Sequence, residues 1–293
     1  MEGLEHRSQE PATAEHLFQQ GYSVMRNQLS PLVLEAAREE IKQALAALSP
    51  ENRERFRFQG SMIPIHYKHP LAQLLVPSEG IIRGLSALGF LRPHWMSGYV
   101  ISKPPHSPAL WWHQDWWAWD EPCSTDRTPP QLFINVYLQK TTIPNGCLRL
   151  LPGTHKRRVP LHGSLPIAHS DDANAAPVDS PIFAVQEGEV SVEVEPGDLV
   201  FGDVRLLHAT HPNTTAEERT CIVLWYLPDF DALPASIRSF MNRHHCLPPH
   251  GWWNEQENDV PPTLCDLLPK DDGPELPITL NRIPGALLRS TGE

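Results

Sequence analysis

The feature that most constrains the fold is a change of texture near His94. Beyond it the chain runs through WMSGYVISK, ALWWHQD, QLFINVYLQK, CLRLLPG, VSVEVEPGDLVFGD and TCIVLWYLP. These are short β-branched and aromatic runs, divided by Pro, Gly, Asn and Asp clusters, with no helix-length period between most of them. Six or more strands in such succession predict a jelly roll or sandwich, not alternating βαβ units. Proline usage agrees: 31 prolines against 17 glycines disfavour an all-helical protein and suit stiff connections between strands. The expected fold class is mainly β with flanking helices.

Those helices are expected upstream. A short one from Ala14 leads into GYSVM (21–25), whose alternation reads as a first strand. Ser30-Pro31 then opens a longer helix, with Ser30 as N-cap and Pro31 in the first turn. Leu32, Leu34, Ala37, Ile41, Leu45 and Leu48 give it an apolar face. A second helical stretch is expected around 78–89, ending near Gly89. Residues 1–13 read as a loose tail and 154–181 as an aperiodic loop or lid. Beyond about Pro228 the chain turns Pro- and Asp-rich and leans toward low complexity. With no internal repeat and no Gly/Ser linker, a single domain over 1–293 is expected, its core at about 14–228 and a C-terminal extension at 229–293.

Composition removes several functions. A net charge of −11 offers no basic stripe for phosphates, so neither nucleic acid nor an anionic membrane surface is an expected partner. Five scattered cysteines without a C-x-x-C suit reduced thiols. MEGLEHRSQEP lacks an apolar core for a secretory signal, and no run of eighteen apolar residues occurs. A cytoplasmic enzyme acting on a small molecule is the expectation; the oligomeric state is not legible.

The chemistry begins at His113-Gln114-Asp115. On a strand, side chains at i and i+2 share a face, so His113 and Asp115 can converge on one ion while Gln114 points away. A second histidine would complete a 2-His-1-carboxylate triad, which leaves open positions on Fe(II). In PGDLVFGDVRLLHATHPNTTAEERTCIVLWY (196–226) a Pro-Gly-Asp turn opens a strand with His208 at its far end. Asn213 sits in the next turn, and Arg219 heads another apolar strand. An arginine there can reach back beside the metal, and its guanidinium fork suits a carboxylate. Thr210 can add a hydroxyl to the same group.

The chain resembles the phytanoyl-CoA dioxygenase family, within the Fe(II)/2-oxoglutarate oxygenases of double-stranded β-helix fold. FQQGYSVMRNQLSP resembles the family's opening strand and helix, WWHQD its His-x-Asp motif, NGCLRLLPGTHK (145–156) its Pro-Gly-Ser-His turn region, and HATHPN…R its distal histidine, asparagine and arginine. The resemblance implies His113, Asp115 and His208 as iron ligands, and Arg219 with Thr210 as the clamp on the distal carboxylate of 2-oxoglutarate. It further implies use of O2, release of succinate and CO2, and hydroxylation of an aliphatic C–H. Asp115, where some superfamily members carry glycine or alanine, favours hydroxylation over halogenation.

Several residues carry blander readings. His211 is the rival of His208, in the turn. His155 reads as a loop histidine on backbone hydrogen bonds, and His244-His245-Cys246…His250 as a packing segment, since its spacing matches no structural zinc site. Trp119 is the candidate pocket wall among tryptophans 111, 112, 116, 117 and 119, and Asn135 a candidate cosubstrate contact. Arg149 and Lys156 to Arg158 form a basic cluster beside the lid. Two other functions compete: a catalytically silent jelly-roll binding protein, and a cupin-type metal enzyme that does not use 2-oxoglutarate. Arg219 separates the latter from the leading reading.

Overall fold

The computed structural model describes residues 13–55, 58, 60–168, 170–255 and 258–285. Most of the expected N-terminal tail, residues 1–12, lies outside them. Helix α1 (Ala14–Gln20) ends at Gly21, whose φ of 87° turns the chain directly into β1 (Tyr22–Met25). Helix α2 (Pro31–Ala46) starts where Ser30 accepts a hydrogen bond from the Val33 amide at 3.3 Å. Its buried positions are Leu34, Ala37 and Ile41; Leu32, expected on that face, is 74% exposed, on the side of the helix opposite the buried stripe. Next come α3 (Pro50–Arg55), β2 (Ser61–Pro64), α4 (Pro70–Leu75) and α5 (Glu79–Ala87). Of these only α5 is foreseen by the sequence. The other three span four to six residues, too few for a period to register.

The strands β3 (His94–Lys103), β4 (Leu110–His113), β5 (Leu132–Tyr137) and β6 (Leu148–Leu150) follow. After α6 (Asp171–Ala175) come β7 (Val190–Val192), β8 (Leu199–Asp203), β9 (His208–Thr210) and β10 (Arg219–Leu227), then α7 (Ala235–Met241). They form two antiparallel sheets, a six-stranded one ordered β1-β8-β5-β10-β3-β2 and a four-stranded one ordered β4-β9-β6-β7.

Period-2 alternation sorts the large sheet's side chains into two cores. Leu132, Ile134 and Val136 of β5, with Ile222, Leu224 and Tyr226 of β10, pack against α1, α2, α4 and α5. Their neighbours Phe133 and Tyr137, with Cys221 and Val223, face the small sheet. One expectation needs correction. The segment 154–181 is not wholly aperiodic, because Ser170 caps the Ala173 amide and starts α6. The Pro- and Asp-rich C-terminal extension packs on the fold over its described residues: Trp252, Val260, Leu264 and Leu268 are buried in the helix-side core.

Candidate active site

β4 and β9 are paired in the small sheet, with His113 opposite His208. A register shift between Leu110 and His113 breaks strict alternation, so both of these side chains turn inward while Trp111 and Trp112 join other clusters. The strand ends at His113. Asp115 is held just beyond it, its amide donating to the Val204 carbonyl at 2.9 Å. His113 Nε2 lies 3.6 Å from Asp115 Oδ1 and His208 Nε2 lies 3.8 Å from Asp115 Oδ2. The two imidazole centroids are 4.1 Å apart. Gln114 points away and donates to the Arg205 carbonyl.

Each imidazole is oriented from behind by its own strand. His113 Nδ1 is 3.0 Å from the Trp111 carbonyl, and His208 Nδ1 is 3.0 Å from the Leu206 carbonyl. A carbonyl only accepts, so Nδ1 carries the proton and Nε2 presents its lone pair toward Asp115. Donor atoms of the three residues lie within 4.8 Å of one another. Two imidazoles with Nε2 turned toward one carboxylate fit a divalent metal.

The sequence places His208 at the far end of the strand that starts after Pro196-Gly197. The structure differs: β8 stops at Asp203, and the chain crosses to the other sheet before His208. The crossing is pinned by Arg205, whose guanidinium pairs with the Asp203 carboxylate at 2.6 Å and donates to the Ser124 and Asp126 carbonyls. Phe133 stacks on His208 from the large sheet at 5.1 Å. That approach requires Gly202, since a Cβ there would collide with the Phe133 ring. Neither residue is singled out by sequence reading; a glycine inside an apolar strand is the signal that was available.

A cavity of about 90 Å³ opens between the sheets at this point. Its polar wall comprises His113, Asp115, His208, Thr210, Asn135, Tyr137 and Arg219, and its apolar wall includes Phe133, Leu148, Val223 and Trp225. Arg219 is 3% exposed, and its Nη1 contacts Cys221 Sγ at 3.2 Å. Arg219 Nε and Thr210 Oγ1 are both buried without a hydrogen-bond partner. An unsatisfied buried donor costs about 1–3 kcal/mol, so this pair is built to receive an acceptor. Asn135 Nδ2 reaches Tyr137 Oη at 3.4 Å. Burial raises the Tyr137 phenol above its usual range, so it is a neutral donor. Asn213 sets the turn that delivers Arg219: its side chain donates to the Glu217 and Pro104 carbonyls and accepts from Thr215.

Trp119 does not line this cavity. The chain departs after Asp115, residues 118 and 281 bridge in parallel, and Trp119 packs in the inter-sheet core. Phe133 and Trp225 supply aromatic walls instead. His211 is turned to the sheet edge, 2.8 Å from Ser191 Oγ. His155 is buried with Nε2 on the Phe18 carbonyl at 3.1 Å. His244, His245 and Cys246 bring donor atoms within 4.8 Å of one another, but His244 Nδ1 already accepts from the Cys246 amide. Arg149 is committed to Glu189 at 2.6 Å and stacks over Trp112.

A second cavity, of about 190 Å³, meets the first at His113. Gln114, Arg158, His162 and Leu165 line one side, and Arg282 and Pro284 of the C-terminal extension the other.

Comparison with known proteins agrees with this architecture. The family model for phytanoyl-CoA dioxygenase (PhyH) matches residues 17–221, and the chain belongs to that family. Dioxygenase lolE1 of Epichloe uncinata is 26% identical over 140 residues, covering 46% of this chain and 48% of that protein. A probable alpha-ketoglutarate-dependent hypophosphite dioxygenase of Stutzerimonas stutzeri is 28% identical over 124 residues, 42% of this chain and 41% of its own. The chain thus spans about half the length of these curated relatives. HygX from Streptomyces hygroscopicus, solved with nickel and 2-oxoglutarate bound, superposes with a TM-score of 0.56 at 19% identity, covering 75% of this chain and 89% of that one. The mainly antiparallel fold with its jelly-roll core is shared.

Proposed function

We propose that this chain is an Fe(II)- and 2-oxoglutarate-dependent dioxygenase that hydroxylates an aliphatic C–H of a small molecule. The observation that carries the reading is one cavity with two complementary ends. At one end His113, Asp115 and His208 offer two lone pairs and a carboxylate. At the other, Arg219 and Thr210 present unpaired donors to a carboxylate. A keto-dicarboxylate matches both, one end chelating and the other clamped.

In that role His113, Asp115 and His208 would hold iron, while Arg219 and Thr210 would take the distal carboxylate. Asn135 and Tyr137 would add donors beside the chain of the cosubstrate. When bound, iron and 2-oxoglutarate together activate dioxygen, releasing succinate and CO2 as the substrate is oxidised. The protein contributes placement and dryness. The Trp111 and Leu206 carbonyls fix the two imidazoles, and Phe133 stiffens His208. The apolar wall keeps bulk water from the reacting atoms. Sequence resemblance and family membership support the same assignment.

The test is 2-oxoglutarate-dependent succinate formation in air, with and without added Fe(II), in wild type and His113→Ala. Succinate that requires both Fe(II) and His113 is the expected result. A metal-loaded wild-type protein that forms none, across a panel of small organic acids, amines and alcohols, contradicts the assignment.

A further inference from the structure

The second cavity has a charge that the rest of the molecule lacks. The chain carries a net −11, yet among the described residues no carboxylate lines this space, and two guanidinium groups do. Arg158 comes from the loop after β6 and Arg282 from the C-terminal extension, from opposite ends of the second half of the chain. Among the described residues neither has an ion-pair partner. Burial, with a smaller contribution from the nearby Arg158 charge, disfavours protonation of the His162 imidazole. Arg282 Nη1 donates, at 3.4 Å, to the backbone carbonyl of Asp115. The nearby Arg149 is the contrast, because Glu189 neutralises it. Among the described residues, no carboxylate compensates the arginines at the cavity.

The placement of Arg282 is built, not incidental. Asn281 beside it is locked to the 117–120 segment: its amide donates to the Trp117 carbonyl at 2.7 Å, and its carbonyl accepts from the Trp119 amide at 3.0 Å. Its side chain donates to Asp120 at 2.8 Å and accepts from the Ile283 amide at 2.8 Å. Three of these hydrogen bonds hold the extension against the stretch that follows Asp115, and the fourth sets the local turn at Ile283. They fix the next residue, Arg282, at the mouth of the metal-ligand set. Between the two arginines the wall is apolar, formed by Leu165, Ile167 and Pro284.

We infer that the cavity takes an anionic substrate, an acid with an aliphatic body, whose carboxylate or phosphate is received by Arg282 with Arg158 assisting. Guanidinium is the side chain best matched to either oxyanion. Because Arg282 touches the backbone of Asp115, the acid group sits beside the metal ligands, and the carbon attacked is within a few bonds of it. This substrate class rests on the dioxygenase reading above, and the experiment separates the two.

Protein loaded with Ni(II) and 2-oxoglutarate, which does not turn over, is titrated by calorimetry with hexanoate, hexyl phosphate and hexylamine. The two anions are expected to bind at least tenfold more tightly than the amine, and the tighter of them identifies the acid. Arg282→Gln is expected to weaken the anions tenfold or more and Arg158→Gln by a smaller factor. Arg282→Lys, which keeps the charge, retains most of the affinity and so separates charge from folding. Equal or better binding of hexylamine, no binding of either anion, or anion affinity unchanged in Arg282→Gln overturns the inference. Ni(II) and 2-oxoglutarate uptake, measured in the same protein first, reports on the underlying reading alone: failure to load overturns that reading, whereas normal loading with an indifferent second cavity overturns only this one.

Discussion

The two cavities that share His113 are built from different material. The first is walled by β4, β5, β9 and β10, and its polar groups alternate with core residues along those strands. The second is walled by the loop after β6 and by the C-terminal extension. Strand-built walls are held by ladders on both sides, so a side chain's direction follows from its parity. Loop-built walls owe their shape to single locks such as Asn281. The difference supports the proposal that the common chemistry belongs to the sheets and the choice of substrate to the loops.

Substitutions separate the two. Asp115→Ala should have the largest effect, weakening Ni(II) or Fe(II) binding by at least about 100-fold, since loss of an outer-shell partner alone costs 10–100-fold; metal titration by calorimetry checks this. Leu224→Ala, on the other face of the sheet that carries the site, should cost about 2–5 kcal/mol of stability, seen in urea unfolding. The apparent KM for 2-oxoglutarate should hardly change in that variant. Arg219→Ala should do the reverse, raising that KM roughly 10- to 100-fold for a lost charge-assisted hydrogen bond of about 1.5–3 kcal/mol, with Thr210→Val a few-fold at most. A KM unmoved by Arg219→Ala would favour a metal enzyme that does not use 2-oxoglutarate.

The smallest effect belongs to the loop. Burial, aided by Arg158, lowers the pKa of His162, and His162 Nδ1 accepts from the Val159 amide at 3.0 Å. A histidine with a folded pKa below its unfolded value contributes stability above about pH 6.5. That contribution is lost as pH falls through the depressed folded value. Protection of the 154–181 segment from proteolysis should therefore decline as pH drops below about 6.5, and His162→Asn should flatten the decline. An unchanged pH dependence in that variant would mean the loop is held from elsewhere.

Legibility in the sequence follows the same division. Parity and turn chemistry carry the strands, and Thr210 and Arg219 line one cavity with His113 and Asp115; the latter two meet there without the i, i+2 strand parity the sequence suggests, because β4 ends at His113. The helix opened by Ser30-Pro31 is legible because a cap and an apolar period agree. Three things were not. The register shift in β4 turns inward a histidine that simple alternation would pair with Trp111. The crossing between β8 and β9 depends on the Arg205–Asp203 pair, which is local in sequence but decided by distant carbonyls. Trp119 sits close to Asp115 in sequence, yet the Asn281 lock draws it into the core. Long-range contacts made by single residues leave no period to read.

The central claim is that one ion and one keto acid share the strand-built cavity. Anaerobic addition of 2-oxoglutarate to the Fe(II)-loaded protein tests it most directly, by visible absorption. A weak charge-transfer band that appears only with both components, and is absent in Asp115→Ala, is the predicted result. An Fe(II)-loaded wild-type protein whose spectrum does not respond to 2-oxoglutarate would contradict the account.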